Sequence, residues 1–87
     1  MLVCLDNSVV GATIRRLRME RHMSQELLSG LGDIGRTHLT MIENGKKNPS
    51  LQTLWKLATA LEMKPSELIV AIETACAANQ RDTLEET

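Results

Sequence analysis

The segment from Met23 to Pro49 constrains the fold more strongly than any other part of this chain. Its hydrophobic spacing predicts two short helices, Ser24 to Leu31 and Arg36 to Asn44. The link between them, Gly32-Asp33-Ile34-Gly35, contains glycine and aspartate, which can adopt the left-handed backbone of a tight turn. The segment therefore predicts a compact pair of helices around which the rest of the chain is organised.

The second predicted helix has two chemically different faces. Leu39 and Ile42 point inward at helical spacing. On the outer face, arginine can bond guanine bidentately, threonine offers a hydroxyl and a methyl group, and methionine adds adaptable apolar contact. The polar, basic loop that follows is placed to meet phosphates, so we expect this unit to read DNA. The outer face comprises Arg36, Thr37, Thr40, Met41 and Asn44, and the loop is Asn44-Gly45-Lys46-Lys47-Asn48.

The charge distribution agrees with this expectation. The net charge of −1 argues against a generally basic nucleic-acid coat. Residues 1–56 nevertheless carry eight Lys/Arg against five Asp/Glu, or +3, whereas residues 57–87 carry two against six, or −4. Because the local field governs the encounter with a polyanion, the acidic part is expected to face away from DNA.

Composition bounds the remaining possibilities. With 87 residues, 43% of them hydrophobic, the chain can form one small domain with one core. No apolar run approaches the roughly 20 residues of a membrane span, and the first residues lack the features of a signal peptide. Cys4 and Cys76 have no metal-ligand or redox spacing, so free thiols and a cytoplasmic location are expected.

The pattern predicts five helices and no strand, an all-α domain. Ser8 or Asn7 is expected to cap a first helix from about Val9 to Arg21, whose arginines form a solvated basic face or a phosphate grip. Further helices are expected from Leu51, after Ser50, and from Pro65. We divide the chain into an N-terminal arm at residues 1–8, a domain at 9–78 and a flexible acidic tail at 79–87.

Three apolar features leave a choice between core and interface. Leu27 and Leu31 are expected to pack in the core, or else to face a partner protein. Trp55, the only aromatic residue, is expected to be a core or interface anchor rather than a base-stacking platform. The last helix is broadly apolar and is expected to form a homodimer contact through Leu68, Ile69, Ile72, Ala75 and Cys76.

The titratable residues do not suggest catalysis. His22 and His38 have no metal-ligand or triad spacing, so no enzyme activity, metal or cofactor is expected. His38 is expected to pack or to contact phosphate. Glu43 falls on the inner face of its helix and is expected to pair with Arg18, the alternative being a solvated surface carboxylate.

From about Val10 to Ile69 the sequence resembles the Cro/CI-type helix-turn-helix family, also called the XRE family. The similarity lies in Val10-Gly11, Ile14 to Arg18, Met23 to Glu26, Ile42 to Ser50 and Leu54 to Leu61. Arg36 to Leu39 is similar to controller proteins of restriction–modification systems, which are short, dimeric relatives. Asp33 stands where the family favours glycine.

The resemblance implies a five-helix DNA-binding domain with base-reading, phosphate-binding, ion-pairing and dimerising residues. We therefore predict a homodimeric transcriptional regulator of double-stranded DNA that binds a palindromic operator. Neither a small-molecule effector nor a membrane is expected. The alternative is an interaction module, such as an antitoxin or antirepressor, that acts through a partner protein. The implied base readers are Arg36, Thr37, Thr40 and Met41; the phosphate contacts Gln25, Asn44, Lys46, Lys47 and Asn48; and the ion pair Arg18 and Glu43.

Overall fold

A computed structural model describes the backbone of residues 3–85 and the side chains of residues 3–80. As predicted, the regular secondary structure of the described chain consists of five α-helices: α1 (Asn7–Glu20), α2 (Gln25–Leu31), α3 (Arg36–Glu43), α4 (Leu51–Ala60) and α5 (Pro65–Glu85). The first helix packs on α3 and α5, α2 packs on α3 and α4, and α4 packs on α5. In the described part of the chain, no helix has the length and apolar character to span a membrane.

One hydrophobic core joins the five helices. Its fully buried members include Ile14, Leu28, Leu39 and Ile42. The burial of Leu39 and Ile42 confirms the inward face predicted for α3. Met23, Ile34 and Leu54 are partly buried against it, and the rest of the core comes from Val10, Leu17, Leu57, Ala58, Ala60, Leu61, Leu68, Ile72 and Cys76.

The helix starts are set by side-chain caps. Ser24 and Ser50 cap α2 and α4 by accepting hydrogen bonds from the backbone N–H groups of Leu27 and Thr53. The cap of α1 is Asp6, whose carboxylate accepts from the N–H groups of Ser8 and Val9, so neither Ser8 nor Asn7 has this role. The helix consequently begins at Asn7, inside the segment predicted as an arm. Similarly, α5 continues to Glu85 through most of the predicted tail, whose last residues, 86 and 87, lie outside the described chain.

The ends of α1 to α4 share one backbone arrangement. After each helix one residue is left-handed: His22 (φ 55°), Asp33 (φ 52°), Gly45 (φ 76°) and Glu62 (φ 59°). The N–H of the next residue then bonds to a carbonyl five residues earlier, for example Met23 to Arg18 at 3.1 Å. This is the Schellman motif, which satisfies carbonyl groups that a helix end would leave unpaired.

A close approach between α1 and the end of α3 depends on Gly11. A Cβ at this position would overlap the carbonyl oxygen of Ile42 and would lie 2.7 Å from that of Glu43. Only glycine therefore lets α1 lie directly against the C-terminal turn of α3, which accounts for a residue that is unfavourable within a helix.

The structure excludes the core alternative for two of the apolar features. Leu27 and Leu31 are 48% and 58% exposed, so they do not pack in the core. Trp55 is 58% exposed and Leu51 is 68% exposed, because both lie on the flank of α4 that its neighbours leave uncovered. Periodicity placed these residues on helical stripes but could not identify which stripe another helix covers.

The predicted dimer contact on α5 also needs correction. Leu68, Ile72 and Cys76 are at most 5% exposed, because α5 buries this stripe against α1 and α4 of the same chain. They cannot meet a second copy without leaving the core. Of the predicted set, Ala75 is half-buried and Ile69 is 42% exposed, so Ile69 remains available for such a contact.

Candidate DNA-binding site

The outer face of α3 collects the residues predicted to read bases. Positions 36, 37, 40, 41 and 44 fall within an arc of about 140° on a regular helix. Arg36 and Thr37 are exposed, whereas Thr40 and Met41 are half-buried, and Thr40 bonds to Gln25 of α2. His38 lies outside this arc and is half-buried. Leu39 and Ile42, both fully buried, hold the opposite face on the core.

The N-terminus of α3 is open. Gly35 occupies the cap position and makes no side-chain hydrogen bond, so the first N–H groups of the helix have no capping partner within the described chain. Free N–H groups at the start of a helix, together with the helix dipole, favour negative charge nearby.

The loop after α3 combines a fixed backbone with free side chains. Asn44 ends the helix, Gly45 takes the left-handed conformation, and the N–H groups of Lys46 and Lys47 bond to the Met41 carbonyl at 2.9 and 3.3 Å. The side chains of Lys46, Lys47 and Asn48 are exposed. The chain thus presents two ammonium groups beside the outer face of α3.

A buried ion pair joins α1 to α3, as predicted. Arg18 donates through Nε and Nη2 to the two carboxylate oxygens of Glu43, at 2.8 and 3.0 Å, and through Nη1 to the Met23 carbonyl at 2.8 Å. The side chains are 11% and 1% exposed. Because both charges are nearly out of water, the pair persists only through these hydrogen bonds. It fixes the last residue of α3 against α1.

Gln25 extends this pair to the surface, an arrangement that the sequence did not indicate. Its Nε2 donates to Glu43 Oε1 at 3.0 Å, and its Oε1 accepts from the Thr40 hydroxyl at 3.1 Å. The family resemblance implied a phosphate contact for Gln25. Within the protein the amide lies in a network between α2 and α3, and one of its N–H groups is left for a further acceptor such as a phosphate.

Arg21 has a structural role that was also missed. It was expected in solvent, but Nε donates to the Leu61 carbonyl at 2.8 Å and Nη1 to the Leu17 carbonyl at 3.2 Å. Its guanidinium therefore joins the ends of α1 and α4. Among the described residues, no group of three or more His, Cys, Asp or Glu side chains is arranged to hold a metal ion.

The similarity to known proteins covers the helices that form this site. The sequence profile of the helix-turn-helix family HTH_3 matches residues 14–68. Control protein C.MunI from a Mycoplasma species is 41% identical over 64 residues, which cover 72% of this chain and 86% of the relative. Control protein C.BamHI from Bacillus amyloliquefaciens is 37% identical over 60 residues, covering 68% of this chain and 74% of the relative.

A solved structure agrees with these sequence matches. The restriction–modification controller protein C.AhdI from Aeromonas hydrophila is 40% identical, with a TM-score of 0.70, and the match covers 72% of this chain and 96% of that one. The family profile alone spans more than half of the chain. The chain therefore belongs to the XRE-type helix-turn-helix family of DNA-binding transcription regulators, and controller proteins of restriction–modification systems are among its relatives.

Proposed function

We propose that this protein is a homodimeric, sequence-specific regulator that binds a palindromic operator by placing α3 in the major groove of double-stranded DNA. The proposal rests on one observation: α3 exposes a polar face while its other side is fixed against the rest of the protein. Arg36 and Thr37 project outward, while the buried Arg18–Glu43 pair holds the far end of the same helix. This arrangement fixes the direction from which side chains approach base edges.

The site divides into residues for base edges and residues for the DNA backbone. Arg36 is suited to bidentate bonding with guanine, and Thr40 and Met41 lie on the same face. The Lys46-Lys47 pair is suited to phosphates, which supply salt-dependent affinity but no sequence information. The proposed base readers are Arg36, Thr37, Thr40 and Met41, and the proposed phosphate contacts are Gln25, His38, Asn44, Lys46, Lys47 and Asn48.

An exposed apolar surface supports the homodimer. Leu51, Trp55 and Ile69 are 68%, 58% and 42% exposed. Leu54 and Ile69 line one groove, which the N-terminal segment and the loop before α4 also border. A second copy related by a twofold axis would cover this surface. Such a dimer would place its two α3 helices in successive major grooves about 34 Å apart.

A structural neighbour offers a precedent for assembly on DNA. The controller protein C.Esp1396I was solved as a tetramer in complex with its natural 35-base-pair operator. Its TM-score to this chain is 0.76 at 23% identity, a likeness of fold. We propose by analogy that this chain also binds its operator as an oligomer.

Selection from a random duplex library tests the function. Purified protein should enrich a palindromic sequence, and titration by fluorescence anisotropy should saturate at two protomers per site. Competition with random duplex at two salt concentrations provides the control. Binding that is weak, strongly salt-dependent and equal for selected and random DNA would contradict the proposal.

The dimer surface has its own test, because α5 carries a matched pair of exposed residues. Ile69→Asp should shift the sedimentation velocity of the protein from dimer to monomer, since it places a charge in the proposed contact. Val70→Asp, which changes a residue that is 57% exposed on a different part of α5, should leave the dimer intact. Equal behaviour of the two variants would exclude this surface.

A second candidate function rests on the exposed Leu27 and Leu31 of α2. Their position on a surface helix favours contact with a partner protein, as in an antitoxin or antirepressor. A Leu27→Ser, Leu31→Ser variant would then lose regulation of a reporter gene in cells while keeping its operator affinity. Unchanged regulation would remove this candidate.

A further inference from the structure

The hydroxyl of Thr40 is surrounded by acceptors on the protein side. Its Oγ1 lies 3.1 Å from Gln25 Oε1 and 3.0 Å from the carbonyl oxygen of Arg36. A threonine hydroxyl has one proton to donate, and either neighbour takes it. What the hydroxyl can still offer to a molecule approaching α3 is therefore a lone pair.

The direction of this arrangement is set in the core. Arg18 can only donate, and the Glu43 carboxylate can only accept, from Arg18 Nη2 and Gln25 Nε2, each at 3.0 Å. Gln25 must therefore turn its NH₂ group toward Glu43 and its oxygen toward Thr40. The buried ion pair thus fixes the orientation of the Gln25 amide. The amide in turn places an acceptor, and not a donor, next to the Thr40 hydroxyl.

We propose that Thr40 is an acceptor-only base reader, and that Gln25 is the positioning residue that makes it so. The inference rests on the proposed function and adds a class of base to it. In the major groove, adenine N6 and cytosine N4 are donors, whereas thymine O4 and guanine O6 and N7 are acceptors. Thr40 accordingly selects an amino base, adenine or cytosine, over a keto base, thymine or guanine, on the strand it contacts.

Thr37 supplies an internal comparison on the same helix. It is exposed, and its hydroxyl makes no hydrogen bond within the described part of the chain. Its proton is free to rotate, so Thr37 can donate to a keto base or accept from an amino base. The same residue type is therefore expected to discriminate at position 40 and to tolerate both classes at position 37.

The test measures affinity for every single-base variant of the selected operator, with wild type, Thr40→Val, Gln25→Leu and Thr37→Val. Wild type should favour amino over keto bases by about 3- to 10-fold at one position of each half-site, the range expected for one hydrogen bond. Thr40→Val should abolish this preference and Gln25→Leu should reduce it. At that position, the double variant Gln25→Leu, Thr40→Val should lose no more affinity than Thr40→Val alone. In the double variant Gln25→Leu, Thr37→Val, the two losses of binding free energy should add.

Several results would overturn the proposal. One is a preference for keto bases at the position that responds to Thr40→Val, and another is no responsive position at all. A third is a uniform loss for Gln25→Leu on operator and random DNA with a shallower salt dependence, which would make Gln25 a phosphate contact only. If wild type itself bound operator no better than random DNA, the proposed function would fail with it.

Folding of the variants must be established by their melting temperatures. Gln25→Leu leaves the Arg18–Glu43 bonds in place but removes one donor to a buried carboxylate. Thr40→Val does not touch the ion pair, and it carries the decisive comparison if Gln25→Leu proves unstable.

Discussion

The C-terminal end of α3 differs from those of α1, α2 and α4. All four ends share a backbone motif, but the side chains that follow it are different. After α1, α2 and α4 the left-handed residue is His22, Asp33 or Glu62. The residue that follows each is apolar and packs partly buried against the core: Met23, Ile34 and Met63. After α3 the left-handed residue is Gly45, and the next residue is the exposed Lys46.

This difference shows one local geometry used for two purposes. At three helix ends the motif anchors the chain through an apolar side chain, the contact that commonly accompanies it. At the end of α3 the same backbone presents a cation. The anchor is replaced by the Arg18–Glu43 pair and by the close packing of Gly11, which both join α1 to the last turn of α3. The surface loop is thereby left available for a ligand.

Breaking the ion pair is expected to have the largest effect. Glu43→Ala should lower the free energy of unfolding by about 3–5 kcal/mol, because Arg18 is left buried without its partner charge. Glu20→Ala removes the exposed Arg16–Glu20 pair, whose side chains are 54% and 48% exposed, and is the matched control. It should change the unfolding free energy by about 0.2–1 kcal/mol. Urea unfolding followed by circular dichroism measures both, and similar losses would show that burial does not set the strength of the Arg18 pair.

Replacing the glycine after α3 should have the next largest effect. Gly45→Ala should destabilise by roughly 1–2 kcal/mol, because its φ of 76° is unfavourable for a residue with a Cβ. That Cβ would also lie 3.0 Å from Ser8 Cα. Gly30→Ala, where nothing lies within 4 Å, should instead stabilise α2 by about 0.5–1 kcal/mol. A loss at both positions would mean that backbone conformation does not explain the choice of Gly45.

Introducing glycine at the left-handed position after α4 should stabilise the protein. Glu62→Gly relieves a left-handed glutamate (φ 59°) and should raise the unfolding free energy by about 0.5–1 kcal/mol. Glu62→Ala keeps the strained φ and should give no such gain. A stability of Glu62→Gly at or below wild type would show that this helix end is not strained.

Lys46 should have the smallest effect on stability. Lys46→Ala should change the unfolding free energy by less than about 0.5 kcal/mol, since the side chain is exposed. It should reduce the slope of log affinity against log salt by about 1 on operator and random DNA alike. Lys64→Ala, outside the loop, is the control. An unchanged slope would remove Lys46 from the phosphate contacts.

The sequence predicted what depends on local pattern. The number of helices, the start of α5 at Pro65 and the inward face of α3 all follow from periodicity and the residue preferences of helix ends. The Arg18–Glu43 pair was also predictable, because each charge interrupts an apolar stripe.

The remainder depends on which surfaces meet. The contacts of Gln25 with Thr40 and Glu43 join residues 15 and 18 positions apart, and no single helix pattern encodes them. Likewise, the stripe of α5 is apolar whether this chain or a second copy covers it, and only the packing against α1 and α4 decides between the two.

Arg36, held on a rigid α3, is proposed to read the base sequence of the operator. The direct test is titration of wild type and Arg36→Ala against the selected operator and against random duplex under identical salt. We expect a loss of roughly 1–3 kcal/mol on the operator, a much smaller loss on random DNA, and a flattened preference between sites. An equal loss on both DNAs would contradict the claim, because it would make Arg36 a contact to phosphate rather than to a base.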